Sequence, residues 1–186
     1  MKRIVFVFIC LIVPVSLSAE KNPYYVYGVD FSKVKVYCAS ESPEKFVQAF
    51  KDINTLLISE NEKYKFSRIL NNKAELKIDP MLKKLSNCDY SDLITFDSEY
   101  GEINCAEIIK DYNLSQKEGV GVVLIAKLLN KPLERAIYDL VIFDISTRDI
   151  LFIKEVAGEA SGFGLRNHWA GSIYDILRHE KRINIE

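Results

Sequence analysis

Three β-rich runs, Val120 to Leu129, Ala136 to Ile145 and Ile150 to Ala157, follow one another with breaks of only a few residues. Asn130-Lys131-Pro132 punctuates the first break and Ser146-Thr147-Arg148-Asp149 the second. A parallel return needs a connection of about a dozen residues or more, so breaks this short force antiparallel neighbours. In the second run Ile137, Val141, Phe143 and Ile145 alternate with Tyr138, Leu140 and Ile142. A strand apolar on both faces belongs inside a sheet that is covered on both sides.

Helical periodicity supplies the covers. Ser42-Pro43 reads as an N-cap followed by proline at the first helical position. Phe46, Phe50, Ile53 and Leu57 then recur on one face, widened by Val47, Ala49 and Leu56, which predicts a helix over 43–58. Asn104 and Glu107 form a capping-box-like pair with Ile103 and Ile108 as its staple, opening a helix over 104–113. Leu165, Trp169, Ile173, Ile176 and Leu177 form the stripe of a helix over 165–181, with Arg178, His179, Lys181 and Arg182 at its electronegative end. Between these, Val34 to Ala39 reads as a short strand, 63–70 and 74–78 as strands about the Asn71-Asn72 turn, and Asp79-Pro80 as the start of a short helix through Leu85. Residues 20–32 read as an irregular lead-in. The expectation is a single α/β domain of the α+β type: a mostly antiparallel sheet ending in a three-strand meander, with the helices packed on it.

The first nineteen residues stand apart. Met1-Lys2-Arg3 is basic, Ile4 to Val13 is unbroken apolar sequence, and Pro14 and Ser16-Leu17-Ser18-Ala19 close it. Basic head, apolar centre and small-residue exit are the parts of a secretory signal peptide, with cleavage expected between Ser18 and Glu20. The run is shorter than the ~20 residues a spanning helix needs. An uncleaved anchor recruiting Val15 and Leu17 is the alternative. Cys10 lies inside the run after Ile9, which does not suit lipid attachment. The division expected is a signal peptide over 1–19 and one exported domain over 20–186, periplasmic or secreted. Cleavage would leave 167 of the 186 residues, removing two cations and no acid, so the formal charge moves from −1 to −3. With 48% apolar and 27% charged residues, such a chain builds a core and has no electrostatic reason to bind nucleic acid. Cys38, Cys88 and Cys105 remain. Cys88 and Cys105 flank a turn-rich stretch and are candidates for a disulfide, three small buried thiols being the other reading. No CxxC and no Cys/His cluster occurs, so neither a metal nor a cofactor is implied.

The order of the carboxy-terminal elements carries a resemblance. A helix from Glu107 to Asn113 leads into Gly119-Val-Gly-Val-Val-Leu-Ile, and a later strand ends Leu140-Val-Ile-Phe-Asp144-Ile-Ser-Thr147. Asp149-Ile-Leu-Phe, a glycine-rich stretch and the last amphipathic helix follow. Over residues ~103–180 this resembles the small α/β domain of bacterial envelope proteins, as in the TolB amino-terminal domain and the curli-assembly lipoproteins. There an Asp-x-x-Thr-Gly hairpin joins two strands; here Arg148 stands at the glycine position. The resemblance implies a periplasmic, non-enzymatic protein that acts through contacts with partners, and it supplies no catalytic residues.

The most distinctive stretch is Gly158-Glu-Ala-Ser161-Gly162-Phe163-Gly164-Leu-Arg166-Asn167-His168-Trp169-Ala-Gly171. Its glycines let the backbone bend or approach a neighbour closely. Arg166, Asn167 and His168 fall in a first helical turn, whose free N–H groups suit an anion. Gly162, Gly164, Arg166, Asn167, His168 and Trp169 are thus the candidate binding residues for a carboxylate, phosphate or sugar. The other reading is a strand-to-helix turn with Trp169 as core anchor and Arg166 tied to a carboxylate such as Glu159. A dinucleotide fingerprint lacks its third glycine, and Ser161 is not the centre of a G-x-S-x-G elbow. A small hydrolase using Ser161 and His168 with Asp144 or Glu159 is the alternative function. The leading expectation is a non-enzymatic binding or assembly component of the cell envelope, acting through either the glycine-rich turn at 158–171 or an exposed sheet edge. Its partner would be a protein or a small anionic or sugar ligand, with no membrane span after cleavage.

Overall fold

The structure is a computed structural model that describes residues 22–183; the signal segment expected over 1–19 lies outside the described residues. The strands are β1 (Tyr24–Asp30), β2 (Lys35–Tyr37), β3 (Ala74–Leu76), β4 (Ile94–Thr95), β5 (Val120–Asn130), β6 (Arg135–Asp144) and β7 (Ile150–Glu159). The helices are α1 (Pro43–Ser59), α2 (Asp79–Ser86), α3 (Cys105–Lys110) and α4 (Gly164–His179), with one 3₁₀ turn at Phe66–Arg68.

All seven strands join one sheet. β1 and β2 lie along the same edge of β5, the first against residues 121–125 and the second against 128–130. β3 flanks β1 and β4 flanks β2, and every one of these pairings is parallel. The other edge of β5 carries β6 and then β7, both antiparallel to their neighbours. The sheet is therefore not mostly antiparallel: five of its strands, in the order β3-β1-β5-β2-β4, form a parallel set. The physical reason lies in the connections. Short breaks force antiparallel pairing from β5 to β7, but from β2 onward α1, α2 and α3 stand between successive strands and provide the long crossovers that parallel returns require. β1 and β2, only a short segment apart, do not pair with each other but continue in one direction along β5.

Two local assignments also change. Tyr24–Asp30 is a strand rather than a lead-in, and its last five residues are buried. Residues 63–70 form turns about the 3₁₀ segment instead of a strand. The sheet separates two apolar layers. Val122, Leu124 and Ala126 of β5 and Tyr138, Leu140 and Ile142 of β6 face a layer built with α1 and α4, through Phe46, Phe50, Ile53, Trp169 and Ile173. Val123, Ile125, Val141 and Phe143 face the other layer, closed by Ile108 and Ile109 of α3 with Met81 and Tyr112. No helix among the described residues is long and apolar enough to cross a membrane.

Candidate functional site

The glycine-rich stretch forms the turn from β7 into α4, and two backbone hydrogen bonds fix it. Ala160 N–H donates to Glu134 O at 2.6 Å, tying the turn to the β5–β6 hairpin, and Ser161 N–H donates to His168 O at 3.0 Å. A Cβ at Gly158 would run into the Ser172 carbonyl, and one at Gly171 would run into the Ser161 backbone. These two glycines let α4 lie at backbone distance against β7 and against the turn that follows it. Gly162 and Gly164 hold φ of +113° and +77°, conformations that glycine adopts at no steric cost. Below the turn, Tyr138 and Ser172 hydroxyls pair at 2.8 Å and Ser172 Oγ donates to Trp169 O at 2.7 Å, so a buried polar chain locks α4 to β6.

An open groove of about 450 Å³ runs beside the turn, lined by Gly162, Gly164 and His168 together with Glu41, Lys131 and Phe163 among others. Of the residues singled out in the sequence, the fold brings these first three together. Arg166 and Asn167 are exposed, and Arg166 Nε donates to Asn167 Oδ1 at 3.0 Å rather than to Glu159; the Glu159 N–H donates to the Asp175 carboxylate at 3.0 Å. Trp169 is fully buried in the core, edge-on to His168 with ring centroids 4.9 Å apart, and does not line the groove. Its Nε1 has no hydrogen-bond partner among the described residues.

The groove's charges are matched. Lys131 Nζ donates to both oxygens of Glu41 at 2.6 Å, and this bond holds the Glu41 carboxyl below the usual range. Lys45 and Glu134 add one charge of each sign. What distinguishes this end of the molecule is apolar exposure. Phe163 is 97% exposed, Phe96 82% and Leu133 70%. Thr95, next to Phe96, pairs with Tyr37, which pairs with Asn130, and Leu133 N–H donates to the Asn130 side chain. All three side chains therefore emerge at the end of the sheet where β2, β4 and β5 stop and α4 begins.

Catalytic groups are not assembled here. Ser161 and His168 meet through backbone atoms only, and Ser161 Oγ packs against Gly171. Asp144 closes β6 at its far end, roughly 30 Å from the groove at ~3.3 Å per strand residue. There its Oδ1 accepts from Ser146 N at 2.8 Å and Thr147 N at 2.9 Å, making the hairpin. Arg148 takes φ +67° in that hairpin, a left-handed conformation that glycine adopts at no steric cost. Its guanidinium donates to Ile145 O and to Tyr112 O, anchoring the turn to the end of α3.

Cys88 and Cys105 are free thiols with separate partners, not a disulfide. Cys88 Sγ donates to Lys84 O at 3.2 Å and Cys105 Sγ to Asp139 Oδ2 at 3.4 Å. Burial, with the Asp139 charge beside it, pushes the Cys105 thiol up to about 12, so it carries no nucleophilic thiolate at neutral pH.

Sequence reasoning missed two buried charge clusters because their members lie on distant elements. Lys127 of β5 bonds Glu155 of β7 at 2.8 Å, sits 3.6 Å from Asp139 of β6, and lies over the Tyr100 ring. Asp30 at the end of β1 accepts from Tyr112 Oη at 2.7 Å, Lys84 Nζ at 2.9 Å and Ser32 N at 2.8 Å. The only sequence signal for either was a charge inside an apolar strand. Both are closed, satisfied networks, as buried charges must be. The chain matches no protein-family model, no curated protein and no solved structure in the comparisons made with each.

Proposed function

We propose that this chain is an exported, non-enzymatic binding or assembly component of the bacterial cell envelope. It works by docking a protein partner at the sheet end that carries Phe163, Phe96 and Leu133. The observation behind this reading is the near-complete exposure of three large apolar side chains on one end of an otherwise well-buried chain. Single exposed apolar residues are ordinary; three at one end of the sheet offer a partner several apolar contacts on one side of the molecule. Each would recover about 1.5–3 kcal/mol on burial, and aromatic anchors of this kind dominate protein interfaces. Phe163 stands on a turn whose backbone is fixed by Glu134 and α4, so little ordering entropy is left for binding to remove. The export part rests on residues 1–19 and on the likeness to envelope domains.

Fractionation of producing cells, with mass determination of the chain, tests export: the expected product lacks residues 1–19 and lies outside the cytoplasm. A full-length chain in the cytoplasm would overturn it. Affinity capture compared between the native chain and Phe163→Ser/Leu133→Ser tests docking. The expected result is a defined partner retained by the first and lost by the second, at unchanged melting temperature. Equal recovery by both would remove this surface from the account.

A further inference from the structure

The two margins of the sheet differ. Beyond β1 and β2 lie only β3 and β4, three and two residues long. On the other margin β7 presents ten residues paired with β6 alone. A long unpaired edge is a template for another strand, and proteins blunt it by shortness, proline or charge. β7 has no proline, and its central charges are tied to their own chain: Lys154 Nζ to Glu180 at 2.5 Å, Glu155 to Lys127 at 2.8 Å and to Tyr100 Oη at 3.1 Å. The edge is thus left open by the fold, with Ile153 49% exposed on the face it shares with Val141 and Val123.

Register and charge select the occupant. Glu159 N–H donates to Asp175 rather than into the ladder, and pairing with β6 is unbroken from Ile153 to Glu159. Alternation along the strand therefore turns the backbone groups of Ile153, Glu155 and Ala157 outward. Two copies of β7 related by a twofold axis normal to the sheet pair antiparallel about one residue. An axis at Lys154 or Glu155 sets like charges opposite themselves. An axis at Phe152 opposes Asp149 to Glu155, and one at Leu151 opposes Arg148 to Lys154. An axis at Val156 brings Ile153 to Glu159, whose N–H is already used. An axis at Ile153 has none of these conflicts: Ile153 meets itself and Phe152 meets Lys154, and beyond them the register shift of β7 at Leu151 brings the Leu151–Ile150 segment against Glu155 and Val156. Cross-strand pairs without like-charge opposition are the favourable ones.

We propose that the chain pairs with a second copy of itself through β7, about a twofold axis at Ile153, joining two seven-stranded sheets into one. The interface is isologous, so it closes as a dimer and does not propagate. It uses none of the residues of the Phe163 end.

Sedimentation velocity of the purified mature chain is expected to show a concentration-dependent dimer. Ile153→Lys, which puts two cations on the axis, should weaken that dimer at least tenfold without altering the circular dichroism spectrum. Ile153→Cys under mild oxidation should give a disulfide-linked dimer, because opposed Cα atoms of an antiparallel pair lie about 4.5–5.5 Å apart, within disulfide reach. Leu151→Cys and the unmodified chain, with its three native thiols, should not cross-link. A chain that stays monomeric at several hundred micromolar overturns the proposal. So does a dimer that persists in Ile153→Lys and fails to cross-link through Ile153→Cys. Phe163→Ser should leave dimerisation unchanged, so failure of the docking reading and failure of this one are separable.

Discussion

Asn54 shows how one side chain holds a strand that lacks a regular ladder. β1 carries a register shift between Val26 and Val29, with Gly28 at φ +85°. Asn54 of α1, fully buried, fills the gap: its Oδ1 accepts from Val29 N at 2.8 Å and its Nδ2 donates to Val29 O at 2.9 Å. Asn54→Ala strands both backbone groups in the core, at about 1–3 kcal/mol each. Urea unfolding should therefore show a loss of roughly 2–6 kcal/mol, and a loss under 1 kcal/mol would mean that the bulge is satisfied some other way. Cys105 and Tyr27 give a pH prediction. Burial is the first cause in both and takes each to about 12. The unfolded chain ionises these groups nearer pH 8.5 and 10. Their contribution is therefore complete at neutral pH and is lost as pH rises from about 9 towards 12. Thermal melts between pH 7 and 11 should show a falling melting temperature, and a flat profile would contradict the buried, protonated state. Neither role could be read from the sequence, because Asn54 sits on a helix stripe with nothing nearby to say that a bulge faces it.

α4 and β7 meet through two glycines whose role became definite only in three dimensions. The sequence marks 158–171 as a turn into a helix, and the stripe from Leu165 to Leu177 gives the helix its inward face. It does not say that Gly158 and Gly171 are the points of closest approach. Gly171→Ala must push Ser161 and α4 apart, and overpacking against backbone costs about 1–3 kcal/mol; chemical denaturation should register it, whereas Gly164→Ala meets no neighbour within 4 Å and should cost only the strain of its positive φ. Trp169→Ala removes a side chain with no exposed surface, and large aromatic truncations in cores cost about 3–5 kcal/mol. A loss below 1 kcal/mol would return Trp169 to the groove as a ligand contact. The meander from β5 to β7 was legible because short connections leave one pairing mode. The parallel set was not, since β3 and β4 are too short to carry a periodic signal and Tyr24–Asp30 mixes aromatic and glycine residues in a pattern that reads as loop.

At the scale of the whole molecule, the buried and half-buried charges of Asp30, Lys127 and Lys131 are paired, and two apolar layers fill the space on either side of the sheet. The surfaces proposed for partners are the Phe163 end and the β7 edge. The glycine turn was visible in the sequence as an unusual stretch, but the groove beside it also draws Glu41 and Lys131 from other elements. Phe163 gave no sign of its exposure, because an aromatic residue between two glycines reads equally well as a core plug. That this end binds a protein partner, as proposed, can be read from a photo-cross-linking amino acid placed at position 163 in producing cells, with position 62 beyond the far end of α1 as the reference. The expected result is a discrete protein adduct at 163 that is missing at 62. No adduct at 163, or the same adducts at both positions, would contradict it.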